Sequence, residues 1–146
     1  MPRGVSKHFC CLNNISAFSL SCVDVYNTDS NTEDQIVFNL WCYFNSSLFW
    51  LLREISGRKN LGGGLLKSEA ADLTNFPVYL DLNFDFKNVI PNFQRNALET
   101  LEELKTKEHQ LLDKIIFDYL GLATADRVRC VNYLCKAIQF RSERAK

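Results

Sequence analysis

Arg58, Lys59 and Lys67 bracket a run in which Asn60 precedes Gly62-Gly63-Gly64. That combination suits anion contact. Glycines let the backbone approach a phosphate closely, and their N–H groups, outside regular structure, can form an anion nest. The cations add charge, and the Asn60 amide carries the donor and acceptor needed to read a base edge. A plain flexible connector uses the same residues, but the coincidence of cations with glycines favours nucleic-acid contact. A second basic set, Arg127, Arg129, Lys136, Arg141, Arg144 and Lys146, gathers toward the C-terminal end. It serves equally well as a phosphate track or as a solvated helix end that complements the helix dipole.

Other chemistry-bearing residues read as structure. Trp41, Phe49 and Trp50 can stack on an unpaired base, but their neighbours are apolar on every side, so core packing is predicted. Asn45-Ser46-Ser47 is read as a set of small polar residues where helices pack closely, in preference to a phosphate contact. His8 and His109 have no evident catalytic partners and are expected at the surface. The six cysteines include no CxxC pair, and His8, Cys10, Cys11 and Cys22 match no common zinc spacing. Reduced thiols in a cytoplasmic protein are the expectation.

The elements that must hold these residues follow from periodicity. Phe9–Leu12, Ile15–Leu20 and Cys22–Tyr26 are short apolar runs that suggest strands, with a turn at Asn13-Asn14. Thr32, followed by Glu33 and Asp34, suggests a helix start. From Glu33 to Ile55 apolar residues lie on nearly every face, which predicts one central, buried helix ending before Gly57. Ser68–Leu73 suggests one helical turn, and Phe76–Leu80 an edge strand or an extended segment. Ala97, Leu98, Leu101 and Leu104 begin a helical stripe, with Glu103 and Lys107 as an i, i+4 pair. Leu111, Leu112, Ile115, Ile116 and Tyr119 continue it to Leu120, with Gly121 as C-cap. Thr124 then caps a last helix whose core face is Val128, Val131, Leu134, Cys135 and Ile138.

A charge balance of 17 Lys+Arg against 17 Asp+Glu in 146 residues gives no whole-chain attraction to nucleic acid. The apolar stretch Ile36–Leu52 is interrupted by Asn39, Asn45, Ser46 and Ser47 and falls short of the ~20 residues of a membrane span. No membrane association is expected.

Two stretches resemble one family. Phe44–Leu52 (FNSSLFWLL), Gly57–Lys67 (GRKNLGGGLLK) and Asp72–Val78 (DLTNFPV) together resemble a block in the target-recognition region of adenine-specific DNA methyltransferases of type II restriction-modification systems. The specificity subunits of type I systems carry a looser version. Leu112–Leu122 (LDKIIFDYLGL), with Arg141 beyond it, resembles the helical ending of the same enzymes. The blocks come in the family's order and cover roughly two-thirds of the chain. The family's Asp/Asn-Pro-Pro-Tyr/Phe signature is absent, and so is a glycine loop for S-adenosylmethionine, because Gly62-Gly63-Gly64 follows a helical pattern.

The resemblance implies a sequence-recognition and clamping role for a methyl transfer from S-adenosylmethionine to adenine. No cofactor is expected on this chain and no activity from it alone; it reads as a truncated gene, a split subunit or an excised domain. The implied partners are double-stranded DNA and a catalytic methyltransferase subunit or N-terminal domain. Arg58, Lys59, Asn60, Gly62, Gly63, Gly64 and Lys67 are the expected DNA contacts. The fold expected is α+β and helix-rich. A target-recognition-like segment (1–82), with small strands around a buried helix, precedes a helical C-terminal part (83–146), and the two pack as one unit. The rival readings are a free-standing specificity or regulatory DNA-binding protein and a helical protein–protein module.

Overall fold

The computed structural model describes residues 1, 3–12, 21–25, 34–58, 65–78 and 96–144. It is a helix-rich α+β arrangement: β1 (Gly4–Val5), α1 (Asp34–Phe44), α2 (Ser47–Ser56), β2 (Leu66–Lys67), α3 (Ala70–Leu73), α4 (Thr100–Glu103), α5 (Lys107–Tyr119) and α6 (Thr124–Glu143). Helix α2 lies mainly against α6, which also packs on α5, and α1 leans on α2. The core between them contains Tyr43, Phe49, Trp50, Leu112, Ile116, Leu134 and Ile138. No helix among the described residues is long and apolar enough to cross a membrane.

The central helix expected over Glu33–Ile55 is two helices. Asn45 and Ser46 offer the backbone side-chain partners that compete with helix continuation. Asn45 Nδ2 donates to Trp41 O at 2.9 Å, closing α1, and Ser46 turns extended and caps α2 by accepting the Phe49 N–H at 3.3 Å. The break also holds a distant segment. Asn45 Oδ1 accepts the Cys10 N–H at 2.9 Å while its Nδ2 donates to Cys10 O at 3.1 Å, so one amide satisfies both backbone groups of Cys10. The Trp41 indole donates to the same carbonyl at 2.8 Å.

A second break divides the stripe after Ala97. Thr106 caps α5 by accepting the His109 N–H at 3.2 Å and donates its own hydroxyl to Glu103 O at 2.9 Å. Glu103 therefore closes α4 while Lys107 opens α5, and the two share no helical turn. Gly121 ends α5 as expected: its φ is +67°, and the bonds Leu122 N–H to Phe117 O (2.9 Å) and Gly121 N–H to Asp118 O (3.0 Å) complete a Schellman motif. In α6 the first helical residue is Thr124, and Asp126 supplies the cap by accepting the Ala123 N–H at 3.0 Å. The buried face of α6 is Cys130, Leu134, Ile138 and Arg141, whereas Val128 is exposed.

Among the described residues, strands are fewer than the apolar runs suggested. Phe9–Leu12 forms none, and neither does Phe76–Val78, whose Phe76 ring instead meets Phe49 edge-on at 5.4 Å. Ile15–Leu20, Tyr26, Tyr79 and Leu80 lie outside the described residues. The sheet that does form pairs β1 with β2, Gly4 opposite Lys67 and Val5 opposite Leu66, antiparallel.

Candidate nucleic-acid interface

Gly57 ends α2 in an extended conformation, and the chain returns along it at β2. A Cβ at Gly57 would lie 2.5 Å from Leu66 Cδ1 and 2.7 Å from Arg53 O, so only glycine lets the buried Leu66 close over the helix end. Arg58 and Lys67 then pair backbone to backbone, N–H to O at 2.9 and 3.1 Å. On its other side β2 is held by β1, and the Ser68 N–H donates to Arg3 O at 2.8 Å. The two limbs of the glycine-rich segment are thus stitched together at their base. Strand alternation orients the side chains: Leu66 and Ser68 point in and are buried, while Lys67 points out.

Arg58 and Lys67 therefore sit side by side at the surface. Each is paired with an acid near α3: Arg58 with Asp72 at 3.6 Å and Lys67 with Glu69 at 2.6 Å. The Lys67 ammonium holds the Glu69 carboxyl below its usual range, opposing the effect of desolvation, and the charges of Arg3 and Arg58 act in the same direction. Arg3 thus joins the cationic group. Nothing in the sequence marked Arg3, because β1 brings it here from far along the chain. Lys59, Asn60, Gly62, Gly63 and Gly64 lie outside the described residues.

Beneath this surface lies a second set of charges, fully buried. Arg141 of α6 donates to Glu54 of α2 through Nη2 at 2.9 Å and Nε at 3.1 Å. His8 reaches the same carboxylate, Nε2 to Oε1 at 2.9 Å, and its Nδ1 has no hydrogen-bond partner among the described residues. A carboxylate clamped by Arg141 only accepts, so His8 Nε2 carries the proton. Burial holds His8 below its usual range and outweighs the hydrogen bond to Glu54; the charges of Arg53 and Arg141 add to the lowering. Burial alone would raise Glu54, but the hydrogen bonds from His8 and Arg141 hold it below its ordinary value. Next to it Arg53 meets Ser68 Oγ at 3.4 Å, and burial pulls its guanidinium down to about 10.

His8 and His109 are therefore core residues, contrary to the surface position expected of them. Trp50 lies between them, its ring centroid 5.6 Å from His8 and 4.6 Å from His109. The His109 Nε2 meets Ser47 Oγ at 2.9 Å and Asp113 Oδ2 at 3.5 Å, while Asp113 Oδ1 accepts the Ser47 N–H at 2.8 Å. Asp113 shares the ring nitrogen that meets Ser47, Glu103 Oε1 stands 3.9 Å from the other nitrogen, Nδ1, and the Ser47, His109 and Asp113 side chains are all buried. This trio ties α5 to the start of α2. Arg141 is likewise withdrawn from the basic tail that the sequence suggested.

Three of the thiols are held in the protonated form. Burial pushes Cys10 up to about 11, and Cys42 and Cys130 up to about 12. Among the described residues no three His, Cys, Asp or Glu side chains are grouped to hold a metal ion. Arg58 and Lys67, each paired with a nearby acid, are the described members of the expected DNA-contact set. Compared with protein-family models, with curated proteins and with solved structures, the chain matches none of them.

Proposed function

We propose that this chain recognises and clamps double-stranded DNA for an adenine-specific, S-adenosylmethionine-dependent methyltransferase of a restriction-modification system. Methyl transfer itself would come from a catalytic subunit or from a further domain. The observation that carries the reading is the neck at Arg58 and Lys67: two surface cations, with Arg3 nearby, stand at the base of a segment rich in glycine. The two cations are 63% and 40% exposed and their acidic partners 23% and 28%, so these pairs are screened by solvent and exchanging a carboxylate for a phosphate costs little. The resemblance of GRKNLGGGLLK to the methyltransferase recognition block supports the same assignment. In this reading Arg58, Lys59 and Lys67 meet phosphates, Gly62, Gly63 and Gly64 admit the backbone to close range, and Asn60 reads a base.

Titration of duplex DNA with the chain between about 50 and 200 mM salt tests this. Each phosphate contact contributes about −0.9 to the slope of log K against log salt, so three cations predict a slope near −3. Absence of binding at the lowest salt would overturn the proposal in favour of a protein–protein module.

A further inference from the structure

Helix α6 uses one face for the core, where Cys130, Leu134, Ile138 and Arg141 are buried. Another face carries a different pattern. Arg129, Tyr133, Lys136, Phe140 and Arg144 recur at intervals of four, three, four and four, which aligns them along one exposed stripe. Tyr133 is 61% and Phe140 51% exposed. Single exposed rings are ordinary on protein surfaces. Here each ring is matched with a cation: the Arg144 guanidinium lies 4.2 Å from the Phe140 centroid and the Lys136 ammonium 5.9 Å from that of Tyr133. Arg129 is paired with Asp126 at 3.0 Å, but Lys136 and Arg144 form no ion pair with a carboxylate among the described residues.

We infer that this stripe binds single-stranded nucleic acid, with Tyr133 and Phe140 as stacking planes and Lys136, Arg144 and Arg129 on phosphates. The interleaving of the two residue types selects this occupant. A duplex offers phosphates but keeps its base faces stacked, leaving the rings unused, whereas an unpaired strand offers both. The rings stand seven residues apart, about 10.5 Å along the axis, which suits separate bases of an extended strand and not two neighbours in a stack. A second copy fits worse. Antiparallel self-contact that places Tyr133 on Phe140 also places Arg129 against Arg144 and Lys136 near its own copy, and like charges repel. This surface rests on α6 alone and does not depend on the reading of the Arg58–Lys67 neck.

The test is fluorescence anisotropy on the full chain with a labelled oligothymidylate and a duplex of equal length, across a salt series. Wild type, Tyr133→Ala/Phe140→Ala and Lys136→Gln/Arg144→Gln are compared, with a thermal melt for each. The ring variant should lose single-strand affinity by roughly tenfold or more with its salt slope intact, since stacking and not charge has been removed. The cation variant should reduce the single-strand slope by about 1.4, two contacts at about 0.7 each. Duplex binding should be unchanged by the ring variant, which separates this surface from the neck. Single-strand affinity unchanged in the ring variant would overturn the assignment. So would a concentration-dependent dimer in sedimentation that the ring variant abolishes, because the face would then be a self-contact. The four positions are exposed, so all variants should melt with wild type; should the ring variant melt early, Tyr133→Ser alone carries the same comparison.

Discussion

The two ends of the short stretch Arg53–Arg58 hold the same chemistry in opposite settings. At Arg58 a guanidinium faces Asp72 across 3.6 Å in the open, with Lys67 and Glu69 alongside. At Glu54 a carboxylate is clamped by Arg141 and His8 with no exposure at all. Exposed pairs contribute little and are screened by salt, so their cations remain free to change partners. The buried pair is committed. Removing one member strands the other charge in a low dielectric, although the intact pair need not add net stability over an apolar one. A cation here is therefore either free to exchange partners or committed to the fold, depending on whether α2 has ended. Gly57 marks the boundary.

The sharpest break is Arg141→Ala. It takes from the buried Glu54 its bidentate partner, leaving His8 hydrogen-bonded to it and Arg53 nearby, and should cost about 3–5 kcal/mol, read as lost stability in denaturant unfolding. The double substitution Glu54→Leu/Arg141→Met should regain most of that loss, since neither charge is then left alone. Equal losses in the single and double variants would contradict the buried-pair account.

Gly57→Ala comes next. The new methyl meets the Arg53 carbonyl and Leu66, and overpacking of this kind costs about 1–3 kcal/mol. A melt unchanged from wild type would mean that Leu66 does not close tightly over α2.

A pH series sharpens the comparison further. The folded pKa of His8 lies below its unfolded value, so between the two the unfolded chain binds more protons. Stability is then full above about pH 6.5 and declines as the pH falls, by at most about 1.4 kcal/mol per unit from this one group. Arg53, Arg141 and Glu54 face the ring, and only Glu54 favours its charging, so the direction is set by burial and the two cations. His8→Phe keeps a ring beside Trp50 but cannot be protonated, and should show a shallower decline between pH 7 and 5. A slope identical to that of wild type would remove His8 from the linkage.

The sequence carried local structure better than long-range pairing. Helix content, the Gly121 cap and the packing roles of Phe49 and Trp50 follow from periodicity and local chemistry, which operate over a few residues. Asn45-Ser46-Ser47 was legible as structural, but not as a helix break, because an apolar surround hides which backbone bonds the side chains will take. The burial of His8, His109 and Arg141 was invisible. Each is justified by a partner 46, 62 and 87 residues away, Glu54 for the first and last and Ser47 for His109. Neither hydropathy nor spacing reports that distance, and a basic residue at a helix end reads as solvated until its partner is seen. Arg3 reached the surface cluster for the same reason, through strand pairing.

The smallest expected change in stability accompanies the largest expected change in binding. In Arg58→Ala/Lys59→Ala/Lys67→Ala the fold should be altered by no more than about 0.5 kcal/mol, as is usual for surface sites. The decisive measurement is a duplex DNA titration of this variant and wild type at several salt concentrations, beside a thermal melt of each. The account predicts superimposable melts, with the magnitude of the salt slope lower by about three units and the affinity correspondingly weaker. Unchanged affinity and slope with an unchanged melt would contradict it, by showing that the cations at the neck do not meet DNA.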